Sequence, residues 1–345
     1  MSKLMDKLRT NTTIKAAQLL KDSDFMNQEM VPTDIPAVNI ALSGTICGGL
    51  TSGLTTIAGP SKHFKTAFGL LMMKAYLQSK PNAIALFYDS EFGTPQKYFE
   101  TFDIDMSRVL HSPIMDVEQL KIDIVKQLHE LEKEEEVYIF VDSIGNLASH
   151  KEVQDALDGK MVGDMTRAKG IKSLFRAVTP YLKSKNIPMV VVNHTYDSQE
   201  MFSKPVVSGG TGIYYSSDTI WIVGRRQQKE GTDVTGYQFV INVEKSRYVK
   251  EKSKIPVSVS FDGGIDKWSG LLDMALDAGV ISRSGAWYQL TDLETGEIVE
   301  KKYRAKELVG NDLWNPILKS ESFKNYVKEK YMLVTDSIME EEVEA

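Results

Sequence analysis

The sequence predicts an α/β fold built on a mainly parallel central sheet. Short apolar segments rich in β-formers alternate with segments of helical spacing from about residue 54 to residue 193, and strands that alternate with helices form right-handed βαβ units. Polar or charged residues directly follow several of the predicted strands. Because open α/β sheets bind their ligands at the carboxyl ends of their strands, these residues are the first candidates for a functional site.

The first predicted element is an N-terminal helix over residues 3–21, with its apolar residues loosely on one side. A glycine-rich segment at 42–53 leads into the strand Leu54–Ala58. The next eight residues read Gly-Pro-Ser-Lys-His-Phe-Lys-Thr, and apolar residues at helical spacing continue to Leu77. Strand, loop and helix in this order are the context of a phosphate-binding loop, in which backbone N–H groups surround phosphates at a helix N-terminus.

The loop departs from the Gly-x-x-x-x-Gly-Lys-Thr pattern at one position, where Phe64 replaces the second glycine. In such a loop Lys65 reaches the outer phosphates and the Thr66 hydroxyl binds Mg²⁺. The residues predicted to bind ATP here are Gly59, Pro60, Ser61, Lys62, His63, Phe64, Lys65 and Thr66.

Two later strands also end in acids. Residues 83–91 end in Asp-Ser-Glu, and Val137–Val141 is followed by Asp142. Asp142 suits a direct or water-mediated Mg²⁺ ligand, and Glu91 can polarise the water that attacks the γ-phosphate. An acid after a strand is common, and a loop glutamate is more often simply exposed. The order and spacing of all three sites nevertheless favour an ATP site.

The next strand, Met189–Val192, is followed by Asn193 and His194. A polar side chain at this point can contact the γ-phosphate and report it to the following loop, so His194 is the candidate phosphate sensor. The alternative is an ordinary strand-end histidine that is hydrogen-bonded and inert. Amphipathic helices are predicted at 117–131 and at 165–182, on either side of the Val137–Val141 strand.

Two segments are candidates for nucleic-acid binding. The stretch from Thr195 to Gly212 is long for a loop of a compact domain, and apolar and basic side chains on such a loop suit contacts to bases and phosphates. The second stretch, 150–169, carries three candidate cations, although its charges could simply solvate the start of a helix. The candidate DNA-binding residues are Lys160, Arg167, Lys169, Tyr196, Met201, Phe202 and Lys204.

After Gly210 the pattern changes to adjacent strands at 218–224, 237–245 and 255–261. From Ser269 onward the sequence predicts a small helical lobe with a β-rich insert at 287–298 and an acidic tail. The predicted organisation is therefore an N-terminal segment at 1–30, an ATPase core at 31–268 and a small C-terminal domain at 269–345. Deleting the acidic tail tests whether it competes with DNA for a basic surface.

Composition narrows the function classes further. The net charge of −6 argues mildly against nucleic-acid binding, but residues 225–254 carry eight basic residues against four acidic ones. No apolar run approaches the roughly 20 residues of a membrane-spanning helix. Cys47 is the single cysteine, which excludes an intramolecular disulfide. These features favour a protein of a reducing cytoplasm that does not act at a membrane.

Together these segments resemble the RecA-type recombinase family, and most closely its UvsX branch in T-even-like bacteriophages. The resemblance runs from about Ile35 to about Ala275 and is carried by several short stretches. The most similar are residues 39–44, 59–62, 87–93, 141–143, 164–169, 193–196, 199–204, 243–247 and 261–266.

The resemblance implies a RecA-like P-loop ATPase core that needs ATP and Mg²⁺. It implies a DNA-dependent ATPase that forms a homo-oligomeric helical filament on single-stranded DNA and exchanges strands with homologous duplex DNA. Such a protein would act in recombination, repair and recombination-dependent replication of a phage, in the cytoplasm of the infected bacterium. A phage single-strand-binding protein and a recombination mediator are the implied further partners, and the N-terminal helix is the implied polymerisation contact.

Residue by residue, the resemblance makes Glu91 the catalytic glutamate and Tyr98 the aromatic residue that stacks on adenine. Lys245 and Arg247 match the basic pair that reaches the ATP of the adjacent protomer. His194 stands where RecA has a glutamine that couples nucleotide to DNA. The two DNA loops correspond to about 154–167 and 195–209.

Three other readings use the same phosphate loop. A ring-forming helicase predicts closed rings and the unwinding of forked duplexes. A small-molecule kinase predicts an acceptor pocket and a lid, and it predicts no dependence on DNA. An ATP-gated assembly factor that does not hydrolyse ATP predicts that Glu91→Gln has no effect.

Overall fold

The structure is a computed structural model that describes residues 3–23, 28–160, 166–198, 204–292 and 295–333. Its strands are β1 (Gly53–Ala58), β2 (Ile84–Asp89), β3 (Val109–Pro113), β4 (Val137–Asp142), β5 (Pro188–Asn193), β6 (Thr195–Asp197), β7 (Pro205–Val207), β8 (Thr219–Glu230), β9 (Asp233–Ser246), β10 (Lys254–Ser260), β11 (Gly264–Ile265), β12 (Ile281–Ser284), β13 (Trp287–Thr291) and β14 (Ile298–Tyr303). Its α-helices are α1 (Lys3–Asn11), α2 (Pro36–Ser43), α3 (Lys65–Ser79), α4 (Gln96–Thr101), α5 (Val117–Glu130), α6 (His150–Leu157), α7 (Thr166–Ser184), α8 (Thr211–Ser216), α9 (Leu271–Asp277), α10 (Asn311–Lys319) and α11 (Glu321–Tyr331).

A single large sheet organises the described residues, with strand order β11-β10-β9-β8-β1-β5-β4-β2-β3. Neighbouring strands from β8 through β1 to β3 pair in parallel. The pairs β8–β9, β9–β10 and β10–β11 are antiparallel. The prediction of an α/β fold on a mainly parallel sheet is confirmed, and β1, which carries the phosphate loop, lies at its centre.

Helices cover both faces of this sheet, and a separate hydrophobic cluster fills each face. The amphipathic helices α5 and α7 bury one face each against the sheet, as their apolar spacing predicts. Helix α3 is buried along most of its length on the other face. It approaches β4 so closely that a Cβ atom on Gly69 would lie 2.2 Å from the Phe140 ring, and this close packing fixes where α3 begins.

The N-terminal helix is shorter than the sequence suggested. It ends at Asn11, and the only further helical turn before residue 24 is a 3₁₀ turn at Leu20–Asp22. None of the residues of α1 is buried, and short helices without tertiary packing are marginal in water. The Thr12 hydroxyl also accepts from the Ile14 backbone N–H at 3.2 Å, which competes with helical hydrogen bonding.

The long segment after β5 is partly regular. Its two ends pair as the antiparallel strands β6 and β7, and α8 follows. Residues 199–203, which lie between these strands in the sequence, are outside the described residues. The first DNA loop predicted, at about 154–167, begins inside α6, which has a capping box formed by Ser149 and Glu152.

The C-terminal lobe contains α9 to α11 and an antiparallel sheet of strands β12, β13 and β14. Its β region runs from Ile281 to Tyr303, so the predicted insert at 287–298 was too short. Trp314 is buried, and its ring stacks on Trp268 with centroids 6.2 Å apart. The lobe therefore packs on the core, and the three-part division of the chain stays a prediction. No helix among the described residues is long and apolar enough to span a membrane.

Candidate functional site

The loop between β1 and α3 has the backbone shape of a phosphate cradle. Its residues Lys62 and Phe64 both have a φ of 61°, in the left-handed region. Helix α3 begins directly afterwards at Lys65. The free N–H groups of that first turn, together with the helix dipole, make this end of the helix a site for anions.

Phe64 shows how the loop tolerates the loss of its second glycine. A left-handed conformation costs a residue with a Cβ atom about 1–2 kcal/mol. The Phe64 ring stacks on Phe239, with centroids 4.8 Å apart and planes at 17°, and meets Phe68 edge-on at 5.5 Å. Aromatic pairs of this kind contribute about 0.5–1.5 kcal/mol each. The two contacts therefore offset the strain, and the backbone keeps the shape that glycine would allow.

Lys65 lies inside the cradle. It is 7% exposed, and its Nζ donates to the Pro60 carbonyl oxygen at 2.8 Å. Burial lowers the pKa of the Lys65 ammonium, and the nearby carboxylates of Glu91 and Asp142 oppose that shift. A cation that has lost part of its hydration binds an incoming anion more strongly.

Thr66 and Asp142 form the part of the site that suits a divalent cation. The Thr66 hydroxyl donates to Asp142 Oδ2 at 2.7 Å, and Asp142 is buried at the end of β4. Its second oxygen, Oδ1, is buried and has no hydrogen-bond partner among the described residues. Burial raises the pKa of Asp142 to about 6. An unpaired buried carboxylate oxygen beside a hydroxyl fits Mg²⁺, which prefers oxygen ligands and the phosphates of a substrate.

The described residues contain no group of three or more His, Cys, Asp or Glu side chains that could hold a metal ion.

Glu91 is held in place by three side chains. Its Oε1 accepts from Ser143 Oγ at 2.7 Å and from Asn146 Nδ2 at 2.9 Å, and His194 Nε2 lies 3.4 Å away. The hydrogen bond from His194 is the largest cause that lowers the pKa of Glu91, with the Ser143 bond also contributing. The side chain is therefore a carboxylate near neutral pH, which is the form that a general base requires.

The loop that carries Glu91 is anchored by Asp89, the last residue of β2. Asp89 Oδ1 accepts from the backbone N–H groups of Glu91 and Phe92 at 3.0 and 2.8 Å. No role for Asp89, Ser143 or Asn146 was predicted from the sequence. The available signal was their position at the end of β2 or within four residues of the end of β4, since strand-end residues converge at one edge of a parallel sheet.

His194 connects this cluster to the following segment. Its Nε2 lies 3.0 Å from Asn146 Oδ1. The preceding residue, Asn193, donates through Nδ2 to the Ser208 carbonyl at 2.7 Å, and the Ser208 N–H donates to the His194 carbonyl at 2.9 Å. The histidine therefore contacts the Glu91 cluster with its ring and the base of the β6–β7 hairpin with its backbone.

These residues surround a cavity of about 370 Å³. Tyr98, on α4, lines its far side and packs edge-on against Phe102 at 5.7 Å. The structure thus brings residues 61–66 of the loop, Asp142 and Glu91 together around this cavity, whereas Gly59 and Pro60 are not among its lining residues. The lining residues are Ser61, Lys62, His63, Phe64, Lys65, Thr66, Ala67, Glu91, Gly93, Thr94, Pro95, Tyr98, Asp142, Val192 and His194.

Lys245 and Arg247 lie at the other end of the sheet. Strand register places Thr219 beside Thr55 of β1 on one side and beside Ser246 on the other. Lys245 and Arg247 are therefore level with Thr55, near the start of β1. Ala58, the last residue before the phosphate loop, lies about 10 Å further along the strand. Lys245 Nζ donates to the Tyr214 carbonyl at 2.7 Å, and Arg247 Nε donates to Asp218 at 2.5 Å. Neither cation reaches the phosphate loop of its own chain.

The candidate DNA-binding residues have different surroundings. Tyr196 is 56% exposed on β6, and Lys204 and Lys169 are exposed. Lys160 is exposed and forms an ion pair with Asp158 at 2.9 Å. Met201 and Phe202 lie outside the described residues.

Arg167 differs from the other candidates because its guanidinium is hydrogen-bonded within the chain, and its predicted role in DNA binding stays a prediction. Its Nε donates to the Leu147 carbonyl at 2.6 Å, and its Nη2 donates to the carbonyls of Ile144 and Gly145 at 3.0 and 2.8 Å. Burial lowers the pKa of this group. In this structure Arg167 holds the loop after β4 in place and is not presented to a phosphate backbone.

The fold and this site define a nucleotide-binding protein with a phosphate loop at the centre of a parallel sheet. The chain belongs to the RecA family: the model of the RecA N-terminal domain matches residues 3–266. A model of the C-terminal domain of the bacteriophage T4 recombination and repair protein matches residues 268–327.

Individual relatives agree with this assignment. The recombination and repair protein of Enterobacteria phage T4 is 52% identical and is aligned over 100% of this chain and 90% of its own length. Protein RecA of Thermotoga neapolitana is 27% identical, over 91% of this chain and 87% of its own. The mitochondrial DNA repair protein recA homolog of Dictyostelium discoideum is 26% identical, over 89% and 69% respectively. The resemblance stated from the short motifs is confirmed.

Proposed function

We propose that this protein is a DNA-dependent ATPase and recombinase. It forms a helical filament on single-stranded DNA, and it pairs and exchanges strands with homologous duplex DNA in phage recombination, repair and recombination-dependent replication. The observation that carries the proposal is the arrangement of Lys65, Thr66, Glu91 and Asp142 around one cavity, in a chain related over its full length to a recombination and repair protein.

The site residues divide the work of ATP hydrolysis. The N–H groups at the start of α3 and the Lys65 ammonium bind the phosphates. Thr66 and Asp142 would hold Mg²⁺, which would neutralise charge on the phosphate oxygens. Glu91 accepts a proton from the attacking water, because its lowered pKa keeps it deprotonated. Tyr98 offers an aromatic surface to the base from the far side of the cavity.

The proposal of a filament rests on the position of Lys245 and Arg247. Both lie where they cannot serve their own phosphate loop, and they complete the ATP site of the adjacent protomer. Cations that neutralise developing phosphate charge accelerate hydrolysis, and sharing a site makes nucleotide binding and assembly mutually dependent. A head-to-tail contact of this kind repeats without closing and builds a helix. The exposed helix α1 is the further candidate for the contact between protomers.

DNA reaches the ATP site through the segment after β5. His194 contacts the Glu91 cluster and, through its backbone, the base of the β6–β7 hairpin. Tyr196 and Lys204 on that hairpin suit stacking on bases and pairing with phosphates, together with Met201 and Phe202 at 199–203. Binding of DNA there changes the position of His194 and thereby the activity of Glu91.

The remaining expectations are part of the same proposal. The partners are single-stranded DNA, homologous duplex DNA, further copies of this chain, a phage single-strand-binding protein and a recombination mediator. The site of action is the cytoplasm of the infected bacterium. The chain is organised as an N-terminal polymerisation segment at 1–30, an ATPase core at 31–268 and a small C-terminal domain at 269–345.

The test is the rate of ATP hydrolysis with Mg²⁺, measured with and without single-stranded DNA. We expect strong stimulation by DNA, followed by strand exchange between a single strand and a homologous duplex. Hydrolysis that is indifferent to DNA would contradict the proposal and favour a small-molecule kinase. DNA-stimulated hydrolysis with unwinding of a forked duplex, and without strand exchange, would favour a ring helicase.

A further inference from the structure

Two residues of the phosphate loop share an unusual backbone. Lys62 and Phe64 are both in the left-handed region at a φ of 61°, although neither is glycine. Left-handed residues with a Cβ atom persist only where the surrounding structure holds them. The structure that holds them is therefore part of what keeps the loop in shape.

Both residues are held by the long antiparallel ribbon of β8 and β9. The Phe64 ring stacks on Phe239 of β9 at 4.8 Å and 17°. The Lys62 carbonyl accepts from Arg225 Nη1 of β8 at 3.2 Å. Arg225 and Phe239 are directly opposite one another in the ribbon, so they lie on the same face.

Arg225 is itself held in place. Its guanidinium carbon lies 4.7 Å from the centroid of the Tyr237 ring, a distance at which a cation is attracted to the ring face. Tyr237 in turn packs against Phe239, with centroids 6.1 Å apart, and edge-on against Phe261 at 5.5 Å. The loop therefore rests on a connected set of aromatic rings and one guanidinium.

We propose that Phe239 and Arg225 are positioning residues that hold the phosphate loop in its binding conformation and compensate for the missing second glycine. Neither residue lines the nucleotide cavity, so both act through the loop. The inference rests on the proposed function, since it takes the loop to be the ATP site. It adds a reason why this chain can carry phenylalanine where glycine is the rule.

The decisive experiment is a double-mutant cycle between Phe64 and Phe239, read as the affinity for ATP with Mg²⁺ by isothermal titration calorimetry without DNA. We expect Phe239→Ala to weaken ATP binding about tenfold, which corresponds to about 1.4 kcal/mol. The affinity of Phe64→Gly is the reference for a second background, in which glycine adopts the left-handed conformation without support.

The double variant, with both Phe64→Gly and Phe239→Ala, distinguishes positioning from general damage to the fold. Positioning predicts that Phe239→Ala has little further effect once glycine is present, so the double variant binds ATP about as tightly as Phe64→Gly does. An equal loss in both backgrounds, or no loss from Phe239→Ala in the wild type, would overturn the proposal.

Arg225 provides an independent test, since its side chain is exposed and its removal leaves the core intact. We expect Arg225→Ala to weaken ATP binding about threefold to tenfold and Arg225→Lys to restore most of the loss, because an ammonium still donates to the Lys62 carbonyl. The matched control is Arg226→Ala, an exposed arginine on the opposite face of the same strand. Equal losses for both alanine variants would show an effect of net charge and would contradict positioning by Arg225.

The proposed function and this inference fail in different ways. A wild-type protein that does not bind ATP would remove both. Wild-type binding together with unchanged affinity in the Phe239 and Arg225 variants would overturn the inference and leave the ATP site as proposed.

Discussion

The two ends of the central sheet hold their charged residues in different ways. At the carboxyl end, Lys65, Glu91 and Asp142 line a single cavity, and the two carboxylates interact electrostatically with the Lys65 ammonium. Lys245 and Arg247 lie at the amino end of β1 and do not line that cavity. Their polar contacts are to Tyr214 and Asp218 of the same chain.

The amino end is also the more loosely held of the two. The Arg247 side chain is 66% exposed, whereas Asp218, its partner, is 5% exposed. The Asp218 carboxylate also binds Lys183 at 3.0 Å and the Leu54 N–H at 3.1 Å. Asp218 thus remains compensated when Arg247 leaves it. The carboxyl end is therefore a cluster around a cavity, whereas the amino end presents an exposed cation, and under the proposed function these are the two parts of an ATP site shared between protomers.

The largest expected effect comes from the carboxyl end. Lys65→Ala should reduce ATP turnover by at least about a hundredfold to a thousandfold, because it removes a preorganised cation from the phosphates. Hydrolysis with single-stranded DNA and the melting temperature should be measured together, and the fold should be retained. The control is Lys97→Ala, an exposed lysine on α4. Near-normal hydrolysis in Lys65→Ala would refute the assignment of the phosphate loop.

Glu91→Gln should lower the rate of hydrolysis by about 10²–10⁴-fold while ATP affinity is kept, since the amide fills the same space but cannot act as a base. The measurement is single-turnover hydrolysis beside ATP binding by calorimetry. A variant with unchanged hydrolysis would support an ATP-gated assembly factor instead.

Arg247→Ala tests the division between the two ends. We expect hydrolysis and filament formation to fall together by about 10²–10³-fold in rate, because the cation serves a neighbour's site. ATP binding by the free protomer should be unchanged. If only one of the two activities is lost, the shared-site arrangement is wrong.

Mixing variants sharpens the same test. Arg247→Ala keeps its own phosphate loop, and Lys65→Ala keeps its own cations, so a mixed filament contains junctions with both halves intact. DNA-stimulated hydrolysis should return when the two inactive proteins are combined. If Arg247 acted within its own chain, the mixture would stay inactive.

The pH dependence of Mg²⁺ binding follows from Asp142. Its pKa is raised to about 6 by burial, so a proton competes with the metal below that pH. The apparent affinity for Mg²⁺ with ATP should be constant above about pH 7 and fall toward tenfold per pH unit below pH 6. Calorimetric titrations between pH 5 and pH 8 measure this. An affinity that stays constant down to pH 5 would contradict the assignment.

The same shift has a consequence for stability. The folded pKa of Asp142 lies above the ordinary value of 3.8, so the ionised carboxylate costs stability in full above pH 6, and this cost shrinks as pH falls from 6 toward 3.8. Asp142→Asn should raise the free energy of unfolding at pH 7 by up to about 3 kcal/mol without Mg²⁺ and nucleotide, and by roughly half as much at pH 5. Urea unfolding at the two pH values checks the sign.

The smallest expected effect concerns the acidic tail, Asp336 to Ala345, which lies outside the described residues. The chain leaves the described part beside the basic end of the sheet, where the Leu333 N–H donates to the Tyr248 carbonyl at 2.8 Å. Removing five acids should raise the affinity for single-stranded DNA severalfold at low salt and have no effect at high salt, where charges are screened. An unchanged affinity at low salt would remove this role for the tail.

Much of the site could be predicted from the sequence because its chemistry is local. Lys65 and Thr66 are adjacent in one motif, and Glu91, Asp142 and His194 each follow a strand that its composition identifies. In a parallel sheet such strand ends must meet at one edge. That geometric rule turns a list of separated residues into a site, and the structure places them around a common cavity.

Short elements were beyond this reasoning. Helices α2, α4 and α6 and strand β3 have eight residues or fewer, which is too few to show a clear period. The contacts of Arg167 could not be predicted either, since a basic residue at a helix start looks the same in sequence whether it faces solvent or binds carbonyls of a distant loop.

By itself, then, the sequence determined the α/β class, the family and the chemistry at the strand ends, because each is written in short motifs and local periodicity. Only the tertiary structure decided how Phe64 stands in for glycine, since Phe239 and Arg225 are more than 150 residues away in the chain. It alone also placed Lys245 and Arg247 at the opposite end from the phosphate loop, because strand register is set by pairing across the whole sheet.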